Sequence, residues 1–328
     1  MGNWLDEKGT IDRQIKKMEN RTQDVIRISN TMCSKTKIGR MEFMAKKLIY
    51  ESVSIPAVFH NIEAWTNLRK TDKQKMESIQ GKIIKGTYGL PKSTPYWGVL
   101  YELDILPIHL LLTYKKLMIY HKLVNSAKKR VARKIVIAQE ELGIEKSWYG
   151  NVKDEAEEIG IKLDKEALLK MKKSKWKKFV KRKVNDAFEK EFEEKKTQMP
   201  KLRFLNKKAN ETYLNQLANE KARTAMLIRL NMFETFTHNF GNRKKCTLCG
   251  NDDDTTEHAF ECPSRGNKAV TIENLKNGEN MSEIVEMCLD LEKQRRDLLI
   301  DEIITNANVL QNEEWTKTRN GIEGEAGC

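Results

Sequence analysis

The stretch DILPIHLLLTYKKLMIYHKLVN, residues 104–125, places many apolar side chains within about six helical turns. It predicts a helix at the core of the first domain, with the apolar members Ile105, Ile108, Leu111, Leu112, Met118, Ile119 and Leu123. His109 lies inside this segment, which favours a structural role over that of a catalytic base. The preceding LPKSTPYW, residues 90–97, contains two prolines and predicts a loop.

Helical periodicity continues through most of the chain, which indicates a mainly α protein, and no tandem repeat is visible. Residues 11–32 have apolar side chains separated by three or four positions or multiples of them. The sequence TDKQ, residues 71–74, has the form of a capping box and predicts the start of a helix that ends by Gly89. Further helices are predicted over residues 208–230 and 281–310.

Composition divides the chain, whose 328 residues are enough for two domains. The predicted units are a helical domain over 1–125, a basic helical linker over 126–240, a small metal module over 241–265, and a C-terminal helix with an acidic tail over 266–328. The net charge is +13, but residues 246–328 carry 18 acidic and 8 basic side chains. Residues 1–245 therefore carry +23, and a polyanionic partner is expected to bind there.

Three of the six cysteines fall within one short motif, CTLCGNDDDTTEHAFECP, residues 246–263. The others, Cys33, Cys288 and Cys328, are scattered, so a disulfide scaffold is not expected. This pattern indicates a reducing intracellular compartment, the nucleus or the cytoplasm. The sequence has no signal peptide and no apolar run near the ~20 residues of a membrane span, so no membrane association is expected.

The spacing C-x2-C-x8-H-x3-C is typical of a zinc knuckle. The first two cysteines suit a tight turn that Gly250 fits, and the last two ligands share one face of a short helix that Pro263 ends. The predicted zinc ligands are Cys246, Cys249, His258 and Cys262. Because four protein ligands close the coordination sphere, the Zn2+ ion is expected to be structural rather than catalytic.

Two other interpretations of this motif remain open. The cysteines could be free thiols beside a surface histidine, and residues 252–254, three aspartates, could bind Mg2+. Adjacent carboxylates point in different directions, whereas Mg2+ takes one or two converging carboxylates. The aspartates are better explained as solvated charges at the start of a helix, where Asp254 or Thr255 is the expected N-cap.

The stretch KMKKSKWKKFVKRK, residues 170–183, contains nine basic side chains in fourteen positions. It predicts a helix whose single apolar stripe is Trp176, Val180, Val184, Phe188 and Phe192. The candidate nucleic-acid contacts are Lys172, Lys173, Lys175, Lys177, Lys178, Arg182 and Lys183. Exposed Trp176 and Phe179 would also stack on bases. The alternative is a solvated face whose aromatic side chains pack inward.

Signatures of common catalytic sites are missing from the sequence. It contains no Walker A loop, no dinucleotide-binding glycine pattern and no nucleophile elbow. No pair of carboxylates stands out for acid–base chemistry.

Three segments together resemble the C-terminal part of reverse transcriptases from non-LTR, LINE-like retrotransposons. GNWLDEKGTIDRQI, residues 2–15, is similar to the family's strand after the catalytic palm, around Trp4 and Leu5, followed by the thumb helix. IKGTYGLPKSTP, residues 84–95, with LYELDILPI, residues 100–108, is similar to the thumb and post-thumb region. AMLIRL, residues 225–230, ahead of the cysteine motif, is similar to the zinc-binding segment that closes many such proteins.

This resemblance implies an RNA-directed DNA polymerase whose fingers and palm would precede residue 1. The Tyr-x-Asp-Asp motif that holds the catalytic metal ions is missing, so a truncated copy with a thumb-like helical bundle and no polymerase activity of its own is expected. RNA or DNA is the expected partner, and other retrotransposon proteins are candidate partners of the C-terminal helix. The alternative function is a zinc-stapled helical adaptor for protein interactions, and a remnant without function is a third interpretation.

Overall fold

The structure is a computed structural model that describes residues 11–34, 42–209, 212–214, 216–233, 245–246, 248–265, 269–298, 300–301 and 304. Within these ranges every regular element is a helix, which confirms the mainly α class. One isolated antiparallel bridge joins Lys245 and Asp253. The strand expected around Trp4 and Leu5 lies outside the described residues. No described helix combines the length and the apolar character that crossing a membrane requires.

The helices are α1 Asp12–Ser34, α2 Glu42–Ile49, α3 Ile55–Val58, α4 Lys70–Tyr88, α5 Tyr96–Leu103, α6 Ile108–Val124, α7 Val131–Glu141, α8 Trp148–Glu158, α9 Lys165–Lys170, α10 Lys173–Gln198, α11 Asn219–Arg229, α12 Thr256–Glu261, α13 Ile272–Asn277 and α14 over 281–298. A π-helical turn, Tyr50–Ser54, joins α2 to α3, and 3-10 turns occupy Ile62–Ala64 and Pro200–Leu202.

Helix α6 lies at the centre of the helical core, as its sequence predicts. It packs against α4, α7, α8, α9 and α10. Ile108, Leu112 and Leu117 on this helix are buried. The helix begins at Ile108 rather than near residue 104 because Pro107 occupies the N-cap and Asp104, with φ of 50°, ends α5.

Three predicted helix boundaries are wrong. The capping box of α4 starts at Arg69, whose backbone N–H donates to the Asp72 carboxylate at 3.1 Å, two residues before the predicted position. Helix α5 begins at Tyr96, inside the predicted loop. Helix α11 begins at Asn219 instead of residue 208, and the segment before it is held by tertiary contacts. Its Lys208, for example, forms ion pairs that reach α5 and α10.

Helix α10 buries the predicted apolar stripe and attaches the basic region to the core. Trp176, at the start of the stripe, donates its Nε1–H to the carbonyl of Leu117 in α6 at 3.1 Å. Near the other end, the rings of Phe192 and Tyr101 stack with centroids 3.8 Å apart. All five stripe residues are buried, which confirms the stripe. The domain boundary at residue 125 stays a prediction.

A completely buried ion pair joins α5 to α11. Arg229 Nη1 lies 2.7 Å from Glu102 Oε1, and neither side chain is exposed. Tyr213 donates its hydroxyl to the second carboxylate oxygen at 2.6 Å. Burial raises the pKa of Glu102, while Arg229 and Tyr213 act in the opposite direction. Arg229 also donates to the carbonyls of Lys207, Leu275 and Lys276.

His109 connects three helices through its two ring nitrogens. Nδ1 lies 3.2 Å from Glu77 in α4, and Nε2 lies 2.9 Å from Glu191 in α10. Burial disfavours the charged ring, but hydrogen bonds with the two carboxylates outweigh it and raise the pKa of His109 to about 9. The residue therefore has the structural role that the sequence favours.

The substitution Arg229→Met is expected to lower the free energy of unfolding by about 3–5 kcal/mol, because it leaves the Glu102 carboxylate buried without its cation. Urea unfolding followed by circular dichroism measures the change. Lys221→Met, on the same helix, removes the exposed pair with Glu286 and should cost less than ~1 kcal/mol. Equal losses in the two variants would contradict a dominant role for the buried pair.

The stability contributed by His109 is expected to fall as the pH rises. Since the folded pKa of about 9 lies above the ordinary value of 6.5, the contribution is complete below pH 6.5 and disappears as the pH passes 9. Over this range the wild type should lose roughly 2–3 kcal/mol more than His109→Gln, which keeps a polar side chain but does not titrate. Urea unfolding at a series of pH values tests this difference, and parallel pH profiles would rule it out.

Candidate metal centre

The four predicted ligands come together in one group. The ligating atoms of Cys246, Cys249, His258 and Cys262 all lie within 4.8 Å of one another. The sulfur atoms of Cys246 and Cys262 are 3.9 Å apart, and Cys249 Sγ lies 3.3 Å from His258 Nε2. Two thiolates on one tetrahedral zinc ion, each at about 2.3 Å, are separated by about 3.8 Å. The donor set and its spacing are therefore compatible with a zinc site.

A tight backbone turn presents the first two cysteines. The N–H of Gly250 donates to the carbonyl of Cys246 at 2.8 Å, and the N–H of Cys246 donates to the carbonyl of Asp252 at 2.7 Å. Gly250 has a φ of 71°, a conformation that is strained for residues with a Cβ. The glycine expected in this turn from the sequence is thus required by its backbone geometry.

Helix α12 presents the other two ligands. Thr255 is its N-cap, and its side chain accepts a hydrogen bond from the N–H of His258 at 3.1 Å. The N–H of Cys262 donates to the carbonyl of His258 at 2.7 Å, so both ligands follow one helical turn. The prediction of a short helix with Thr255 as a possible cap is confirmed.

Local hydrogen bonds prepare this group for a cation. The backbone N–H groups of Asp252 and Asn251, with the side chain of His258, lower the pKa of Cys249 to about 6. His258 Nδ1 lies 3.7 Å from the Asp252 carboxylate, on the ring edge opposite Cys249. That distance is longer than a hydrogen bond, so the carboxylate does not fix the orientation of the ring. Burial raises the pKa of Cys246 to about 11, so its thiolate depends on a nearby positive charge.

Asp254 has a different role from the one that its sequence position predicts. Its side chain is fully buried and forms an ion pair with Arg295 of α14, whose side chain is 5% exposed. Asp254 is therefore not a solvated charge at the start of the helix. None of the three aspartates belongs to a metal-binding group among the described residues, where the cysteine–histidine group is the one found.

A second buried arginine, Arg265, follows the last ligand by three residues. It donates to the carbonyls of Ala259 and Val270 at 3.0 and 3.3 Å and contacts the sulfur of Met287 in α14. No local sequence pattern points to Arg265 or Arg295, because their partners lie on other elements. For Arg295 the one signal is a basic residue in the middle of an amphipathic helix, and such residues are usually exposed.

Six of the seven candidate nucleic-acid contacts lie apart from the metal group, exposed on the first half of α10 or at its N-cap. The seventh, Lys183, is half-buried and lines a cleft of about 390 Å³ that also includes Glu155 and Glu158. The two sequence-predicted sites are thus separate features, one a compact cluster and the other an extended surface.

No protein-family model, curated protein or solved structure matches this chain. Its function must therefore be inferred from the geometry of the cysteine–histidine group and from the distribution of surface charge.

The substitution Cys246→Ser is expected to abolish stoichiometric metal binding, because it removes one of four converging ligands. Elemental mass spectrometry of the purified chain after incubation with zinc measures the metal content. Cys288→Ser is the matched control, since Cys288 is also a buried free thiol but lies outside the ligand group. Metal-free wild-type protein, or equal metal content in both variants, would exclude a metal centre here.

Proposed function

We propose that this chain is a nucleic-acid-binding, C-terminal part of a retrotransposon reverse transcriptase, in which α10 contacts phosphate groups and a zinc ion stabilises the knuckle. The observation that best supports this function is the exposed cationic surface on α10, whose first five lysines form no ion pair within the described part of the chain.

The cationic surface consists of side chains that the fold leaves in solvent. They are Lys172, Lys173, Lys175, Lys177 and Lys178, together with Lys181 and Arg182. The first five of these lysines, up to Lys178, form no ion pair with an acidic side chain in the described part of the chain. Charges of one sign that remain unpaired raise the local concentration of a polyanion.

Charge changes along helix α10, because its first half has only basic charged residues and its second half mixes acidic residues with Lys190, Lys195 and Lys196. Bases occupy its first half, and the acidic side chains of Asp186, Glu189, Glu191, Glu193 and Glu194 follow. The basic stretch from 172 to 183 spans about 17 Å, which corresponds to about five nucleotides along one strand. A nucleic acid is therefore expected to contact the first half of the helix only.

The beginning of α10 is electrostatically unfavourable in the free protein. Lys172 is the N-cap, and the first turn contains no acidic residue. A helix N-terminus has a partial positive charge, so each lysine near it costs about 0.3–1 kcal/mol. A bound phosphate group would relieve this repulsion, which supports an anionic partner at this position.

The end of α6 lies beside the same end of α10. The ring of His121 is within 2.9 Å of the carbonyl of Met171 and stacks on Trp176 with centroids 5.9 Å apart. Exposed Lys122 follows His121 directly, and an exposed basic cluster, residues 128–130, precedes α7. These residues place further exposed positive charge at the end of α6 and before α7.

Trp176 is too deeply buried to stack on a nucleic-acid base. The Trp176 side chain is 3% exposed, and Phe179 is half-buried with the Arg182 guanidinium 5.8 Å from its ring centroid. The aromatic residues therefore pack inward, as the alternative interpretation of the sequence expected. Contacts limited to phosphate would give affinity with little dependence on base sequence.

The zinc ion has a structural role in this proposal. Binding would supply on the order of 10 kcal/mol or more of local folding free energy to the knuckle. The knuckle contacts α14 through Asp254 and Arg265, so its stability also determines where α14 lies. Four protein ligands leave no coordination position for a substrate.

The protein-interaction adaptor is the second candidate function. It is favoured by apolar side chains that α14 exposes, since Leu289 and Leu298 are 42% and 45% exposed. Protein partners frequently cover such side chains when they form a continuous patch. An adaptor would require the fold and the zinc ion but not the unpaired lysines of α10.

The combined substitution Lys173→Gln, Lys177→Gln and Lys178→Gln is expected to weaken binding of single-stranded RNA, structured RNA and duplex DNA. The plot of log affinity against log salt concentration has a negative slope. The magnitude of this slope should decrease by about 2–3, because each phosphate contact contributes about 0.7–0.9. Filter binding across a salt series, with and without chelator, measures this slope.

The matched control replaces Lys146, Lys153 and Lys293, which are also exposed, with glutamine. It removes the same charge, so its slope should remain close to that of the wild type. A wild-type affinity that is independent of salt, or equal effects of the two triple variants, would refute the proposed phosphate-binding surface and favour the adaptor.

A further inference from the structure

Helix α7 presents an apolar stripe to solvent. Val131, Ile135 and Leu142 are 70%, 51% and 72% exposed, and Ala138 between them is also exposed. These positions are separated by four, three and four residues, the spacing of a helix that packs against another helix. Val136 is buried on a different face, so α7 is attached to the protein without using this stripe.

An apolar groove runs beside the stripe. It has a volume of about 390 Å³, and its lining includes Ile119, Leu123, Ala132, Ile135 and Trp148. A side chain from an opposing helix would fit between α6 and α7 at this position, as ridges fit into grooves between packed helices. The stripe and the groove therefore form one surface that is suited to a helix.

The charges around the stripe differ at its two ends. Exposed Lys134 and the exposed cluster over 128–130 lie near the start of α7, and they form no ion pair with a described acidic residue. Glu141 and Glu145 lie at the other end and are also exposed. Glu141 has only a 4.0 Å contact with Lys165. A partner must therefore be acidic opposite one end and basic opposite the other.

We infer that α7 pairs with α7 of a second copy of this chain in an antiparallel arrangement. A two-fold axis across the stripe centre would place Val131 opposite Leu142 and Ile135 opposite Ala138 of the second copy. Lys134 and Glu141 lie seven residues apart on the same flank of the stripe. In the antiparallel pair, Lys134 of one copy therefore faces Glu141 of the other. The four stripe residues, Lys134 and Glu141 then each have a complement.

Other occupants fit this surface less well. A nucleic acid would meet the carboxylates of Glu141 and Glu145 and would not cover the apolar stripe. A uniformly acidic peptide would be repelled at the same end. Because the stripe contributes only four apolar side chains from each copy, a weak dimer that depends on concentration is expected.

Sedimentation velocity of the full chain over a concentration series tests the inference. The wild type should show a monomer–dimer equilibrium, and Leu142→Lys should raise the dissociation constant at least about tenfold. Leu48→Lys is the matched control, because Leu48 is 65% exposed on α2, away from the stripe. A wild type that remains monomeric at every concentration, or equal effects of the two substitutions, would overturn the inference.

Charge exchange tests the antiparallel arrangement. Lys134→Glu and Glu141→Lys should each raise the dissociation constant roughly tenfold, because each creates two like-charge contacts across the axis. The double variant restores both attractive contacts and should recover the wild-type constant. Failure of the double variant to recover, while its circular dichroism spectrum and melting temperature match the wild type, would exclude this pairing.

Discussion

The contact between Arg229 and Glu102 holds together segments that lie far apart in the sequence. Its carboxylate belongs to α5, its guanidinium to α11, and the carbonyls that the guanidinium binds come from residue 207 and from α13. Transferring two charges from water costs several kcal/mol for each ion. The pair is sustained because Tyr213 and the three carbonyls supply further hydrogen bonds to it. The position of α13, which follows the knuckle in the chain, depends on the same contact.

The features predictable from the sequence are those set by short-range periodicity. The burial of Trp176 through Phe192 follows from four-residue spacing, and the meeting of the four ligands follows from a turn and one helical turn. Contacts over long separations have no such signal. Arg229 lies 127 positions after Glu102, and Arg295 lies 41 after Asp254, so Asp254 was wrongly expected to be solvated. The predicted start of α11 at residue 208 is wrong for the same reason, since Lys207 and Lys208 make tertiary contacts and the helix begins at Asn219.

The knuckle is connected to α14 through buried charges rather than through an apolar interface alone. Three thiolates and a neutral imidazole would leave one excess negative charge on a bound Zn2+ ion. Arg265 follows the last ligand by three residues and is buried between α12 and α14, where its positive charge opposes that excess. Asp254 and Arg295 form the second connection. The metal group and α14 are therefore expected to stabilise each other, because disturbing either one exposes or isolates a buried arginine.

The lysine-rich region contains two surfaces that differ in physical character. Helix α10 uses its whole apolar stripe for the protein core, so its remaining surface interacts mainly through charge. Helix α7 places only Val136 fully in the core and keeps a second apolar face with charges of both signs at its ends. Salt weakens contacts with phosphate because it reduces the gain from counterion release, whereas apolar contacts do not depend on that gain. Raising the salt concentration should consequently weaken the proposed nucleic-acid contact of α10 more than the proposed pairing of α7.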